Sequence, residues 1–271
     1  MSFFRNCNFA LFLCFCCFFI LFFWFFIFSC EKRIDPVVFW QFDLEHQEKF
    51  FHHSTSEKDF FSTDRGEIKV VSFPSYQRTC LMKLYPSSSI RVRRIFYHFG
   101  NFNIYLDSVS GNVLLISSGC NFYIGDVVLK EGILRVLSDE AKIRVEVLEG
   151  SAKIFDFNIK KGQGYVLGED KIYMIPKGVS LVFPKDGVDV NIPLFLWEKV
   201  QGAKSYFLEI SLDQDFFKTI FFSEIKDNRF FPDSFTLFRF SDSFFWRVWY
   251  ETEDGRFSFF SETRKIRIPS F

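Results

Sequence analysis

Hydrophobic and polar residues alternate over short stretches in the second half of the chain, and this alternation predicts β-strands. It is strict over 142–147, where the apolar residues would face a core while Lys142, Arg144 and Glu146 face water. Glu149-Gly150 then interrupts the pattern, which resumes as in a hairpin. The pattern therefore predicts an all-β fold.

Other strand-like stretches are separated by Gly, Asn and Asp, and no convincing amphipathic helix appears among them. The predicted strands lie at 37–40, 68–73, 91–99, 102–109, 112–116, 151–155, 206–212 and 244–250. The last of them carries aromatic residues on both faces, and the Glu253-Asp254-Gly255 sequence behind it is a hairpin-turn signal. Strands at this spacing predict a β-sandwich.

Changes in pattern divide the chain into four regions. They are an apolar signal or anchor at 1–30, a poorly patterned region at 31–90, a β domain at 91–185 and a β-sandwich at 190–271. The segment from Pro184 to Pro193 contains two prolines and a glycine, and we interpret it as the boundary between the two β domains.

The N-terminus has the features of an export signal. No charged residue occurs from Phe9 to Phe28, and Arg5 precedes this run. Ile27-Phe28-Ser29-Cys30 resembles a bacterial lipobox, which implies acylation of Cys30 and a lipid tether to the membrane. An uncleaved anchor helix and a cleaved soluble product are the alternatives. All three interpretations place 31–271 outside the cytoplasm, in the cell envelope on its periplasmic or surface side.

Composition limits the possible partners. The 33 basic residues equal the 33 acidic ones, so charge gives no reason to expect nucleic acid. The chain contains 43 phenylalanines, many of them in polar stretches. A biased codon supply is one explanation for them, and an adhesive surface is the other.

Two cysteines in the body of the chain could form a disulfide. Cys80 and Cys120 follow an export signal, and an exported compartment permits their oxidation. The sequence alone does not show that their Cα atoms come close enough.

The search for reactive chemistry yields no catalytic residue, cofactor or metal. Glu45, His46, His52 and His53 crowd one segment, but their spacing does not fit a zinc site, and a solvated polar segment fits better. Gly162-Gln163-Gly164 leads into a predicted strand and so lacks the helix N-terminus that a phosphate loop requires. A non-enzymatic protein is therefore expected.

The stretch from about 100 to 180 resembles the FecR-type periplasmic domain. The matching phrases are Gly111-Asn112-Val113, Ile124-Gly125-Asp126, Leu129-Lys130-Glu131-Gly132, Val145 to Ala152 and Lys161-Gly162-Gln163-Gly164. The resemblance implies stacked β-hairpins outside the inner membrane, in a family some of whose members pass an envelope signal to a sigma-factor system. The chain lacks the long middle segment of the family domain and a charged cytoplasmic tail, which argues against direct sigma-factor control.

Residues 190–269 look like a fibronectin type III-like module. The matching residues are Trp197, Gly202-Ala203, Tyr206, Trp246-Arg247-Val248 and Asp254-Gly255. The resemblance implies an immunoglobulin-like β-sandwich with Trp197 in its core. Phe244 stands where a corner tyrosine would be expected, so packing must hold that corner.

These features together favour a membrane-tethered binding or scaffolding protein that presents β modules to an envelope protein or glycan. A FecR-like signalling regulator and an accessory module of a polysaccharide-acting system are the alternatives. Trp246 is expected in the core, and Trp249 is the aromatic residue to test for exposure to a ligand.

Overall fold

Twelve strands, spread over the first two thirds of the chain, pair into a single sheet. The computed structural model describes residues 37–43, 48–49, 60–73, 79–98, 101–139, 142–191, 194–232 and 241–268. Within these ranges the chain forms strands and turns and no helix, as expected for an all-β protein. The same ranges hold no helix with the length and apolar character needed to span a membrane. The apolar run at 9–28 and Cys30 lie outside them.

We call the twelve-stranded sheet the first sheet. Its strands are β1 (Val37–Asp43), β2 (Glu48–Lys49), β3 (Phe60–Ser62), β4 (Glu67–Ser72), β5 (Thr79–Leu84), β6 (Ser89–His98), β7 (Asn101–Ile124), β8 (Val127–Ser138), β9 (Ile143–Ile154), β10 (Phe157–Lys160), β11 (Gln163–Val166) and β12 (Lys171–Met174). They lie in the order β12-β11-β9-β8-β7-β5-β4-β1-β2, with β10 beside β9 and with β6 between β7 and β3.

The remaining strands form two smaller sheets. One contains β13 (Leu181–Phe183), β15 (Phe195–Trp197) and β18 (Arg229–Phe230). The other has the order β14-β20-β19-β16-β17 and contains β14 (Val188–Asp189), β16 (Ala203–Ser211), β17 (Thr219–Ile225), β19 (Ser243–Thr252) and β20 (Arg264–Arg267). Sheet membership changes between Met174 and Leu181, and the Pro184 to Pro193 segment includes β14, which pairs in parallel with β20.

Two predicted strands, 102–109 and 112–116, are one strand in the structure, β7. Gly111 lies between them with a φ of 79°, and an added Cβ would be 2.7 Å from the backbone oxygen of Ser87. Glycine thus lets the strand continue through a crowded bend where another residue would be strained.

The predicted break at Glu149-Gly150 is wrong, because β9 continues through it to Ile154. Gly150 pairs with Gly132 of β8, and a Cβ on Gly150 would be only 2.4 Å from the backbone oxygen of Glu131. Here glycine permits close approach of two strands rather than a chain reversal. The reversal comes at Phe155, whose φ is 49°.

Three apolar clusters hold the sheets together. Buried residues of the first sheet form one cluster, which includes Val92, Leu115 and Val147. The two smaller sheets share a second cluster around Trp197 and Trp246, so together they form the β-sandwich. The burial of Trp197, which the family resemblance implied, is confirmed, as is the core position of Trp246.

The third cluster joins the first sheet to the β-sandwich. Tyr85 and Leu114 of the first sheet pack there with Trp249 of β19 and with half-buried phenylalanines of the β-sandwich. The described residues lie within one compact unit, Ile34–Phe271. We call this contact region the seam.

Candidate functional site

One end of the first sheet is formed by the hairpin of β11 and β12. Tyr165 pairs with Ile172 and Gln163 with Met174. β12 is the terminal strand of the sheet order, and no other described strand pairs with it. Exposed sheet edges of this kind are templates for pairing with another chain.

The backbone hydrogen bonds of this hairpin fix which groups point outward. The Ile175 N–H donates to the Gly162 oxygen at 2.8 Å, and the Leu167 N–H donates to the Ile143 oxygen at 2.9 Å. Because bonding alternates along antiparallel strands, Gly164 and Val166 bond toward β12. The backbone groups of Ile172 and Met174 therefore point away from β11.

The side chains of the same two residues are apolar and exposed. Ile172 is 47% exposed and Met174 is 63% exposed, which is unusual for large apolar residues on an edge strand. The Met174 methyl group and the ring of Phe259 both lie 3.8 Å from the position that a Cβ on Gly162 would take. Ile172, Met174 and the half-buried Phe259 form what we call the edge patch.

Basic residues surround the edge patch. Lys171 begins β12 and Lys177 follows it, while Lys160 ends β10 and Lys161 lies in the turn before β11; all four are exposed. Among the described residues, no carboxylate forms an ion pair with any of them. The edge patch is therefore bordered by positively charged side chains.

The acidic residues next to β12 already have partners. Glu169 forms an ion pair with Lys142. The Lys142 ammonium, by hydrogen bonding and charge, lowers the pKa of the Glu169 carboxyl. Asp170 accepts a hydrogen bond from the hydroxyl of Tyr165. Glu169 is therefore already paired, whereas Asp170 keeps its negative charge next to Lys171.

Tyr173 projects from the opposite face of β12 and anchors the strand. Its hydroxyl donates to Glu146 Oε1 at 2.9 Å. Burial and the neighbouring Glu146 carboxylate raise the pKa of the Tyr173 hydroxyl. Gly164 leaves room for the ring, since a Cβ there would be 2.3 Å from Tyr173 Cζ. The edge patch is thus carried on a strand that is fixed from behind.

Glu146 was predicted to face water, and that prediction is wrong. Its side chain is fully buried, and Arg135 Nε on the neighbouring strand donates to its Oε2 at 2.6 Å. Arg135 Nη2 also donates to the backbone oxygen of Ser258 at 2.8 Å. A buried charge requires such a partner, and this one also links the first sheet to the β-sandwich.

A second buried polar network crosses the seam. Lys83 of β5 donates to Glu209 of β16 and to Thr219 Oγ1, the latter at 2.6 Å. Arg247 Nε donates to Glu209 Oε2 at 2.8 Å. The guanidinium carbon of Arg247 lies 3.7 Å from the ring centroid of Phe260 and 3.9 Å from that of Phe216.

The electrostatics of this network are those of a closed ion cluster. Burial lowers the pKa of Lys83 to about 8, although the Glu209 charge opposes this shift. Burial alone would raise the pKa of Glu209, but the charges of Arg247 and Lys83 outweigh it and lower that pKa. The Lys83 side chain is only 1% exposed, so solutes do not reach its amine in this structure. The network is suited to joining the two parts, not to reacting with a substrate.

Trp249 was predicted as the aromatic residue to test for exposure, and the structure shows it to be fully buried. It packs against Tyr85 at 5.6 Å and edge-on against Phe260 at 4.9 Å, centroid to centroid. The first sheet covers this face of β19. Trp249 therefore belongs to the seam and does not form a ligand platform.

Cys80 and Cys120 come together in the first sheet. They form a disulfide between β5 and β7, with their Cα atoms 6.1 Å apart. Cys120 is fully buried, and the Ser117 hydroxyl donates to its backbone oxygen at 2.6 Å. This disulfide lies in the core of the first sheet, away from the edge patch.

Two carboxylates of the β-sandwich have local roles, and the remaining sequence candidates lie outside the described residues. Asp213 accepts hydrogen bonds from Ser211 Oγ and the Lys218 N–H, which closes a turn. Glu251 forms an exposed ion pair with Lys204. Cys30 and the cluster Glu45, His46, His52 and His53 lie outside the described residues. The described residues contain no group of side chains with the composition of a metal site.

The edge patch could not be located from the sequence. The sequence Lys171-Ile172-Tyr173-Met174 alternates as a strand does, but nothing in it indicates that β12 is a terminal strand. Comparison with known proteins adds no relative, since no family model and no curated protein matches the chain. The fold of the described residues is all-β, with several antiparallel sheets.

Proposed function

We propose that this chain is a non-enzymatic binding or scaffolding protein of a bacterial cell envelope. Its N-terminus tethers it to a membrane, and its β-rich body presents a surface to an envelope protein. The edge patch is the single observation that carries the binding role. A sheet edge that exposes Ile172 and Met174 offers both backbone hydrogen bonds and apolar contact to a partner.

Buried contacts within the body support that edge. The Arg135–Glu146 pair and the Lys83–Glu209 pair are buried at the seam, and both also bond to residues across it. A binding strand held this way loses little conformational freedom when a partner pairs with it.

Within the body we propose a FecR-like domain at 91–185 and a fibronectin type III-like module at 190–271. The FecR proposal is supported by the chain reversals at Gly125 and Gly162 and by consecutive antiparallel pairing of β7, β8 and β9. The module proposal is supported by two facing sheets of three and five strands with Trp197 buried between them. Phe244 is fully buried, as a corner held by packing requires.

The envelope location is supported by the apolar run at 9–28 and the lipobox-like Cys30. Mass measurement of the intact protein extracted from membranes tests this part of the proposal. We expect loss of 1–29 and a mass increment of acyl chains on Cys30. A full-length, unacylated protein recovered from the cytosol would contradict the proposal.

Site-specific photo-cross-linking in cells tests the binding role. A photoreactive amino acid at Ile172 is compared with one at Lys226, which directly follows β17 of the β-sandwich and has a side chain that is 70% exposed. We expect an envelope protein to be captured from position 172 and not from position 226. Equal capture from both positions, or none from 172, would reject the binding role of this edge.

A further inference from the structure

We infer that β12 accepts an extended peptide segment of a partner protein, with apolar residues at alternating positions and acidic residues at the end that lies beside Lys161 and Lys177. This inference rests on the proposed binding function and specifies the partner of the same site. The edge patch and its lysines supply the argument.

The backbone of β12 provides the first element of recognition. Ile172 and Met174 each direct one N–H and one C=O away from β11, as the hairpin register requires. An added strand would bond to these groups and extend the sheet. Recognition of this kind depends on extended conformation and not on a particular sequence.

The side chains of the same residues provide the second element. Ile172 and Met174 are two residues apart and so project from the same face of the strand, while Tyr173 projects from the other. An incoming strand with apolar side chains at every second position would cover them, and Phe259 extends the surface at the Met174 end. The alternation of apolar residues in the partner follows from this spacing.

Charge provides the third element. Lys161 and Lys177 stand at the Met174 end of β12, and no described carboxylate forms an ion pair with them, whereas Lys171 at the other end has Glu169 and Asp170 beside it. Carboxylates at the end of the incoming strand that lies beside Lys161 and Lys177 would therefore meet uncompensated positive charge. Two copies of this chain paired through β12 would bring lysine-rich edges together, so like charges disfavour self-pairing.

The ends of β12 limit the length of the paired segment. Pro176 has no N–H to donate, and Asp170 has a φ of 50°, which ends the extended conformation. The partner therefore pairs over little more than the four residues of β12. Specificity must come from the short apolar and acidic pattern.

The test uses the full chain in detergent and fluorescence anisotropy of labelled synthetic peptides. The probe is Glu-Glu-Val-Thr-Val-Thr-Val-Glu-Glu, and the matched control replaces its four end residues with lysine. We expect the acidic peptide to bind at least about tenfold more tightly than the lysine peptide at low salt, with the preference falling as salt rises. Equal binding of the two peptides would overturn the inference.

Variants and modified peptides separate strand pairing from simple adhesion. Ile172→Thr/Met174→Thr should weaken binding about tenfold, while Phe231→Thr, at an equally exposed apolar residue (55%), should leave it unchanged. Two N-methylated probes carry methyl groups on alternate backbone nitrogens, one set on those that would bond to β12 and the other on those that would point away from it. The first set should abolish binding, and the second should leave it intact. Insensitivity to both changes would overturn the inference, and the methylated probes remain decisive if the double variant does not fold.

The outcomes distinguish this inference from the proposed function. Peptide binding without any cross-link from position 172 in cells would support the strand-accepting edge and reject the proposed envelope partner. A cross-link from position 172 without peptide binding would support the binding role and overturn the peptide inference. A dimer that the double threonine variant disrupts, with no peptide binding, would assign the edge to a second copy and also overturn the inference.

Discussion

Arg135 and Glu146 face each other across β8 and β9 with their charged atoms 2.6 Å apart and both side chains closed to solvent. Arg135 also donates to the Ser258 backbone in the β-sandwich. One buried ion pair therefore contributes both to the first sheet and to its junction with the β-sandwich.

Removal of Arg135 should destabilise the whole body. Arg135→Met leaves Glu146 buried without its cation, which costs about 3–5 kcal/mol of unfolding free energy in urea titrations. Arg256→Met is the matched control, because its pair with Asp254 is exposed, and a change below about 1 kcal/mol is expected there. Arg135→Met/Glu146→Leu should recover much of the loss, since no buried charge remains. A double variant as unstable as the sum of its single variants would contradict this interpretation.

Stability should depend on alkaline pH through Lys83. Its pKa falls from 10.5 to about 8 on folding, so between these values the unfolded chain holds a proton that the folded chain has lost. The unfolding free energy of wild type relative to Lys83→Met should therefore rise from pH 8 to pH 10.5, by about 3 kcal/mol at most. Lys204→Met, at an exposed ion pair, serves as the control. A flat difference between wild type and Lys83→Met would show that the amine is not desolvated.

Gly164 should tolerate a side chain only when Tyr173 is absent. Gly164→Ala places a Cβ 2.3 Å from the Tyr173 ring and should cost about 1–3 kcal/mol in unfolding free energy. The same change in a Tyr173→Ala background should cost clearly less, because the clashing ring is gone. Strictly additive costs would mean that the clash is not with Tyr173.

The disulfide should stabilise the first sheet. Cys80→Ser/Cys120→Ser opens a loop of 40 residues, and the loss of that closure costs about 4 kcal/mol by loop entropy. Urea unfolding with and without reductant measures the effect. Wild type should lose stability in reductant while the double variant should not respond. Free thiols at both positions in the exported, denatured protein would show that the pair is not oxidised.

The sequence predicted where the strands lie better than it predicted which strands and sheets pack against them. Alternation predicted β4, β6, β16 and the two halves of β9, although not their continuity, because a half-buried strand leaves a local period of two. Trp249 was misjudged because β19 is covered on both faces, by the β-sandwich core and by the first sheet. Its aromatic residues on both faces were a signal of this double burial, which local alternation alone does not convey.

Buried charges and the edge patch required the topology. Glu146 has the local pattern of a solvent-facing residue, and only the adjacent β8 and the overlying Ser258 segment make its position interior. Ile172 and Met174 likewise look like core residues until β12 is known to be terminal. Pairwise partners of this kind lie far apart in the chain, beyond the reach of any local window.

The Lys83–Glu209 bond joins residues 126 positions apart, and this separation sets an order of events during synthesis. When β5 emerges from the ribosome or the export channel, neither Glu209 nor Arg247 has yet emerged. The Lys83 amine must stay hydrated until these two residues are present, because burial of an unpaired ammonium group has a large free-energy cost. Until the β-sandwich residues emerge, Ile68 and Leu114 of the first sheet lack the residues that cover them in the folded protein. During this interval the nascent chain would depend most on chaperones.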